Sequence, residues 1–221
     1  MRLLVSAACV WMGMAGVAFA QAAPSLRPAA GDEPQSYVGG AVQASFGNVT
    51  SQSYGAEGGL PITSKFDIFG ELGHVLDAAP ASSGQAAQLI ANQIALTQTG
   101  VGYGMHESIT FFDAGVRYRF NLGGKVTPYV LGGAGLGQVK PDAQFTINGT
   151  NVNDRLDQFG VVLGSDLTGT TTKFMMAVGA GAIYPLGSSL YVDAEYRYNR
   201  VFISGGDVPF TRLGVGVGFR F

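Results

Sequence analysis

The last twelve residues of the chain alternate between a largely apolar series and a series rich in glycine and arginine. The apolar series consists of Thr211, Leu213, Val215, Val217, Phe219 and Phe221, and the other consists of Phe210, Arg212, Gly214, Gly216, Gly218 and Arg220. Because side chains change face at every residue of a strand, this pattern predicts a strand with one apolar face and one tight, polar face. Such a strand suits a barrel wall with lipid outside and a narrow polar interior.

Seven further segments alternate in a similar way, so the sequence predicts eight strands. Their ranges are 36–47, 52–60, 65–73, 109–120, 126–138, 172–184, 190–202 and 209–221. Short turns at 61–64, 121–124 and 185–189 alternate with a short first loop at 48–51, two long loops at 74–108 and 139–171, and a fourth loop at 203–208. These features are typical of an all-β fold, an eight-stranded antiparallel up-and-down transmembrane β-barrel with its short turns in the periplasm.

Composition agrees with a membrane destination. Charged residues make up 13% of the chain, against about a quarter in ordinary soluble domains. Beyond the amino-terminal segment no run reaches the roughly 18 apolar residues of a membrane helix, so we expect the chain to span as a closed barrel. The net charge of −2 gives no indication of a nucleic-acid partner.

The amino-terminal segment has the pattern of a secretory signal. A positive start at Arg2 precedes an apolar stretch at 3–17, and Ala18-Phe19-Ala20 forms a small-x-small cleavage site. The sequence therefore predicts a signal peptide at 1–20 for Sec-type export, a flexible Pro/Ala-rich leader at 21–35 and a barrel domain at 36–221. A lipoprotein site at Cys9 is the alternative, but few apolar residues precede it. Without Cys9 the exported chain has no thiol chemistry or disulfide.

Several motifs together resemble the small eight-stranded outer-membrane barrels, the OmpA-like transmembrane domain and the opacity-type surface proteins. They are SYVGG at 36–40, FDAGVRYRF at 112–120, TPYVLGGAGLG at 127–137, YVDAEYRY at 191–198 and the terminal Phe221. The resemblance implies a monomer in the bacterial cell outer membrane, surrounded by outer-membrane lipid. It also implies that Phe219 and Phe221 form an assembly signal for the barrel assembly machinery. The long 74–108 loop is not part of the family pattern.

Charged side chains share the glycine face of the predicted strands. The predicted lumen charges are the acids Glu57, Asp67, Glu71, Asp113, Asp193 and Glu195 and the arginines Arg117, Arg119, Arg197, Arg212 and Arg220. Buried charges are costly unless they are paired, and an eight-stranded barrel is just wide enough for side chains to fill. Since the six acids and five arginines nearly cancel, we expect a charged network that plugs the lumen. A gated, narrow porin-like channel is the alternative.

Aromatic residues cluster toward both ends of the predicted strands. Those near the turn ends are Tyr118, Phe120, Tyr129, Tyr184, Phe219 and Phe221, and those near the loop ends are Phe46, Phe111, Phe174 and Phe202. Aromatic side chains on the outer face form belts at the two bilayer interfaces. We therefore expect these residues to face lipid.

The two long loops are where a surface function would reside. Residues 85–98 predict a short amphipathic helix that buries Leu89, Ile90, Ile94 and Leu96, or else a β extension above the membrane. The polar 139–171 loop carries an apolar insert at 159–163. We expect the two loops to pack together as a cap, and an unknown extracellular partner bound by the 74–108 and 139–171 loops is the alternative.

Catalytic chemistry has weak support in the sequence. His74 and His106 lie at the edges of the second loop, and adjacent residues such as Glu107 and Ser108 point to opposite sides of an extended strand. The scattered Asp154, Asp157 and Asp166 do not form a calcium loop. We therefore expect no catalytic residue, cofactor or metal site. A lipid-A-modifying enzyme is the alternative, and a soluble lipocalin-like carrier would need the apolar face inside.

Overall fold

The computed structural model describes residues 35–203 and 207–221, so the predicted signal peptide at 1–20 and residues 21–34 of the predicted leader lie outside it. The strands are β1 (Tyr37–Phe46), β2 (Thr50–Pro61), β3 (Phe66–Val75), β4 (Val101–Arg119), β5 (Thr127–Ile147), β6 (Thr150–Asn151), β7 (Thr171–Pro185), β8 (Leu190–Val201) and β9 (Val208–Arg220). Within the described ranges, no helix is both long and apolar enough to cross a membrane.

Eight strands form a closed antiparallel barrel, which confirms the predicted fold class. Each long strand pairs with the next long strand along the chain, and β1 pairs with β9 from Tyr37↔Arg220 to Phe46↔Thr211. The two-residue β6 pairs with the end of β5 outside this ring. All eight predicted strand positions are correct to within a few residues, except that β4 and β5 are longer than predicted.

The outer face of the barrel is apolar and exposed, as the alternation predicts. Val42, Leu72 and Val215 expose 67%, 60% and 54% of their surface, while the inward-facing Arg212 exposes 0%. Glycine on the inner face lets neighbouring strands approach: a Cβ added at Gly135 would lie 1.9 Å from the backbone oxygen of the adjacent strand. The sequence pattern therefore creates a narrow interior inside an apolar wall.

The strands β4 and β5 continue as a hairpin beyond the rest of the barrel. Residues 101–108 pair with residues 140–147, a region that the sequence analysis assigns to loops. Pro141 and the charged residues beside it obscure the alternation there. The free edge of β5 is covered by Asn153, whose amide nitrogen donates to the Ala143 carbonyl at 2.7 Å and whose amide oxygen accepts from the Phe145 N–H at 2.8 Å.

A helix and two short helical segments pack against this hairpin. They are α1 (Ala81–Ala95), a 3₁₀ segment (Asn153–Phe159) and α2 (Ser165–Thr168). Their shared apolar core contains Ala87, Ala91, Ile94, Ala143, Phe145, Val152, Leu156, Val161 and Leu167. We call α1, the hairpin 101–108/140–147 and residues 150–168 the cap. The expected packing of the second loop on the third is therefore present, with both a helix and a β extension.

Two leucines of α1 do not follow the prediction. Leu89 and Leu96 are expected to be buried, but they expose 70% and 76% of their surface, whereas Ile94 exposes 0%. Positions 89 and 96 are seven residues apart and share a helix face. The small residues Ala87 and Ala91 form the buried face with Ile94, because they let the helix approach the hairpin closely.

The two ends of the barrel interior are apolar or aromatic. At the loop end lies a cluster that we call the apolar layer: Val75, Ala78, Ile109, Phe111, Val139, Met175, Val201, Val208 and Phe210. Toward the turn end lie Tyr37, Phe69, Tyr129, Leu131, Ile183 and Tyr191. The prediction that Phe111 and Tyr129 face lipid is therefore wrong: each exposes 1% of its surface. Both have odd numbers, and the odd-numbered residues of their strands point inward.

Candidate functional site

At the turn end, Tyr37, Phe69, Tyr129, Leu131, Ile183 and Tyr191 form what we call the aromatic cluster. Three arginines lie between the apolar layer and this cluster. Arg117 from β4, Arg197 from β8 and Arg212 from β9 each expose at most 1% of their surface. Their long side chains need space that glycine on the inner wall provides. A Cβ at Gly179, for example, would lie 3.3 Å from Cγ of Arg197. The fold thus places three buried guanidinium groups in the middle of the lumen.

Glu71 on β3 joins two of these arginines. Its carboxylate accepts two hydrogen bonds from Arg212, at 2.6 Å and 2.8 Å. It also forms a short ion pair with Arg197. Arg212 is held further by Gln43 Oε1 at 3.1 Å and Asn199 Oδ1 at 3.3 Å. Bidentate contacts of this kind fix both partners, so Glu71 connects β3, β8 and β9 across the lumen.

Glu57 and Glu195 connect the remaining arginine. Glu57 accepts from Arg117 at 2.5 Å and from Arg197 at 2.7 Å, and Glu195 accepts from Arg197 at 2.7 Å. The Arg117 guanidinium also lies over the Tyr129 ring, 4.1 Å from its centre. Such stacking favours a desolvated cation. The three arginines and three glutamates therefore form one connected network.

Tyrosine hydroxyl groups extend the network toward the turn end. The Tyr129 hydroxyl donates to either Asp193 or Glu195, whose oxygens lie 2.9 Å and 3.0 Å away. The Tyr37 hydroxyl donates to Glu57 at 2.8 Å. Buried carboxylates need hydrogen-bond donors, and these two hydroxyl groups provide them. The two tyrosines therefore link the charged network to the aromatic cluster.

Asp113 differs from the other central acids. It exposes 0% of its surface, and within the described ranges neither of its carboxyl oxygens has a hydrogen-bond partner. One oxygen lies 3.7 Å from the Arg197 guanidinium. Asp113 lies directly opposite Glu71 in the β3–β4 register. It is therefore a carboxyl group that the arginines do not fully satisfy.

The other predicted lumen charges lie apart from this centre, at the turn end. Asp67 forms an ion pair with Arg119 at 2.8 Å, and the Arg220 guanidinium lies 5.1 Å from the centre of the Tyr191 ring. The set of eleven predicted charges thus divides in two. The centre holds five carboxyl groups and three arginines, whereas the rim holds one carboxyl group and two arginines.

A small cavity of about 40 Å³ is lined by four of the five central carboxyl groups, those of Glu57, Glu71, Asp193 and Glu195. Gly39, Gly55, Gly214 and Gly216 form part of its wall, together with acids that include Asp193. One water molecule needs about 10–15 Å³ of such a cavity, so the cavity accommodates roughly three water molecules. It can therefore hold water beside Asp193, whose ion-pair contact with Arg117 is 3.9 Å long.

Several contributors to this site were not singled out from the sequence. Gln43, Asn199 and Tyr37 have the inward alternation of their charged neighbours, which was the available signal. The predicted assembly residues Phe219 and Phe221 lie on the outer side at the turn end, with 61% and 75% exposure. Among the residues that the structure describes, no cluster of His, Cys, Asp and Glu side chains is arranged to hold a metal ion.

Comparison with known proteins places this architecture among outer-membrane β-barrels. The family model described as Outer membrane protein beta-barrel domain matches residues 9–221. Neisserial surface protein A matches with a TM-score of 0.52 and 14% identity, over 85% of this chain and 96% of that chain. A sequence search of curated proteins finds no match.

Two further solved structures match with lower TM-scores. Ail, the attachment invasion locus protein of Yersinia pestis, has a TM-score of 0.47 and 15% identity, over 86% of this chain and 99% of that chain. The N-terminal beta-barrel domain of Pseudomonas aeruginosa OprF has a TM-score of 0.47 and 18% identity, over 84% of this chain and 97% of that chain. Identities this low bear on the fold and not on the activity.

Proposed function

Because this chain belongs to the outer membrane protein beta-barrel domain family and lies in the bacterial outer membrane, we propose that it is a sealed structural barrel with a surface-interaction role. The observation that carries the proposal is that the lumen contains both the charged network and the apolar layer. With the short turns in the periplasm, the loop end and the cap face the outside. The function that we propose is carried out by the cap, and it does not involve transport through the barrel.

The apolar layer supports closure more strongly than the charged network does. It draws side chains from β3, β4, β5, β7, β8 and β9, and on β2 the buried Ser53 lies opposite Val75 of this layer in the β2–β3 register. A charged network can rearrange around a passing ion, but an ion in a close-packed apolar layer loses its hydration without compensation. Two different barriers in series therefore oppose conduction.

The cap supplies the surface for the proposed interaction. Val162 exposes 89% of its surface, and Leu89 and Leu96 are exposed on α1. Exposed apolar side chains on a rigid, packed element are suited to contact with an extracellular partner. The partner surface comprises the 74–108 and 139–171 loops. We further propose that outer-membrane lipid covers the apolar wall, that the barrel acts as a monomer, and that Sec export precedes insertion by the barrel assembly machinery.

The positions of the histidines favour a role without catalysis. His106 Nδ1 lies 2.7 Å from Asp77, and His74 Nδ1 lies 2.9 Å from the Thr110 hydroxyl. Within residues 35–203 and 207–221, neither histidine is hydrogen-bonded to a serine hydroxyl. A nucleophile held by a general base is the usual arrangement for acyl-group hydrolysis. Among the described residues, His74 contacts a hydroxyl group but no carboxylate, and His106 contacts a carboxylate but no hydroxyl group, so we propose a role without catalysis.

Two assays test this proposal, one on the purified, folded protein and one on cells that express it. In a liposome-swelling assay with small sugars, vesicles that contain the protein should swell no faster than protein-free vesicles. Mass spectra of lipid A extracted from expressing cells should match those of cells without the gene. Rapid swelling would establish the narrow-channel alternative, and a mass shift that depends on the protein would establish the enzyme alternative.

A further inference from the structure

A buried carboxyl group lies at the junction between the cap and the barrel. Glu107 on β4 exposes 3% of its surface. It lies beyond Ile109, where the pairing of β4 with β3 ends, and therefore outside the membrane-spanning part of the strand. Two residues of the apolar layer lie close to Glu107. Ile109 is two residues further along β4, and the Ala78 N–H donates to the Glu107 carbonyl at 2.7 Å. This carboxyl group belongs neither to the lumen network nor to the exposed cap surface.

Within residues 35–203 and 207–221, the groups that face Glu107 do not include a cation. From α1, the Ser83 hydroxyl donates to Glu107 Oε2 over a long 3.4 Å. From β5, Pro141 lies opposite in the ladder. Glu107 Oε1 has no hydrogen-bond partner in the part of the chain that the structure describes. Since a buried carboxylate without a counter-charge is strongly disfavoured, Glu107 is suited to hold a proton.

The nearest charged groups, Asp77 and His106, satisfy each other. Asp77 Oδ1 accepts from the backbone N–H groups of Ala79 and Glu107, each at 3.0 Å, and Asp77 Oδ2 lies 2.7 Å from His106 Nδ1. The His106 side chain is 64% exposed on the side of β4 opposite to Glu107. Asp77 thus adds a negative charge beside Glu107, and His106 does not neutralise it.

We propose that docking of α1 on the barrel is controlled by a proton on Glu107, so that the cap is closed in acid and loosens as the pH rises toward neutral. The first turn of α1, which contains Ser83, covers the carboxyl group. An ionised Glu107 needs water, and water reaches it when this turn lifts. The contact between His106 and Asp77 holds the segment that precedes α1.

The direction of the pH effect follows from the electrostatics of the junction. Burial raises the pKa of Glu107 from its ordinary 4.5 to about 7; the Ser83 hydroxyl lowers the pKa and the Asp77 carboxylate raises it. In an opened cap the pKa returns toward the ordinary value. Between these values the closed cap binds a proton that the open cap releases, so closure is favoured at low pH. The opening equilibrium of the cap therefore increases as the pH rises toward about 7, and it is constant above that pH.

Hydrogen exchange of the α1 backbone amides tests this proposal on the full barrel in lipid vesicles. After correction for the intrinsic pH dependence of exchange, the opening equilibrium of α1 should increase roughly 70-fold between about pH 5 and about pH 8, from the two pKa values above. Glu107→Gln, which keeps the shape of the side chain, should leave α1 protected at both pH values. The exposed Asp154→Asn serves as the matched control and should keep the wild-type pH dependence.

A second variant separates the two titratable groups. His106→Gln should retain most of the pH dependence if Glu107 controls the cap. Loss of the pH dependence in His106→Gln but not in Glu107→Gln would overturn the proposal and assign the effect to the Asp77–His106 pair. Wild-type α1 protection that does not change with pH would also overturn it. Heat-modifiable gel migration of each variant establishes that the barrel is folded before exchange begins.

Discussion

Replacing Glu71 by glutamine removes the carboxylate that joins Arg212 to the lumen network. Arg212 exposes 0% of its surface, and within the described ranges it meets no other carboxylate at ion-pair distance. The neutral oxygens of Gln43 and Asn199, at 3.1 Å and 3.3 Å, are its remaining acceptors. Breaking a buried ion pair by removing one partner costs about 3–5 kcal/mol. Because these acceptors remain, we expect Glu71→Gln to destabilise the barrel by about 3 kcal/mol.

Asp113 offers a matched control at the same depth. It lies opposite Glu71 in the register, but its oxygens lack hydrogen-bond partners within the described residues. Asp113→Asn removes a charge that nothing fully compensates, and we expect its cost to stay below about 1 kcal/mol. The contrast between the two variants separates a specific ion pair from the general effect of changing a buried carboxyl group.

A double-mutant cycle and urea titration complete this test. Free energies of unfolding come from urea titration in lipid vesicles, with the folded fraction measured by heat-modifiable gel migration. Arg212→Met keeps a long side chain beside Phe111, and the double variant with Glu71→Gln should show a coupling energy of about 1–3 kcal/mol. Equal costs for Glu71→Gln and Asp113→Asn, together with no coupling to Arg212, would refute the network.

Three further substitutions probe the wall, the strand contacts and the cap. Val215→Arg places a charge on an outer face that is 54% exposed, and urea titration should show a cost of about 2–4 kcal/mol; a cost near zero would contradict the lipid-facing assignment. Gly135→Ala should greatly reduce folded yield because its Cβ would lie 1.9 Å from a backbone oxygen, whereas Gly132→Ala, with open space around it, should fold normally; equal yields would contradict the close strand approach. Ile94→Ala should increase proteolysis of the cap, since truncating a buried isoleucine costs about 2–5 kcal/mol, and the exposed Leu89→Ala should not; equal cleavage would show that α1 does not pack through Ile94.

The alternation of the sequence was sufficient to predict the barrel and the direction of most side chains. Glu71 and Arg197 stand on the glycine face of their strands, and the structure has both inside. Phe111 and Tyr129 were assigned to lipid because of their positions near strand ends, although their alternation places them inside. Where position and alternation disagree, alternation is the stronger signal, because it follows from backbone geometry.

The pairing inside the lumen could not be predicted in the same way. Glu71 and Arg212 are 141 residues apart in the chain, and they meet because of how the strands tilt and shift around the barrel. Strand patterns do not specify that shift. The buried face of α1 was equally hard to predict, because the helix packs through Ala87 and Ala91 as well as Ile94. Such small residues give a weak amphipathic signal, while Leu89 and Leu96 give a stronger but misleading one.

The current through single proteins in a planar lipid bilayer tests most directly whether the lumen is closed. The apolar layer and the charged network together predict no steady current from the wild-type barrel. Phe111→Ala, which removes a buried side chain of the apolar layer, should produce brief openings and provides the positive control. A steady wild-type current that is proportional to voltage, and as large as that of Phe111→Ala, would contradict the sealed barrel.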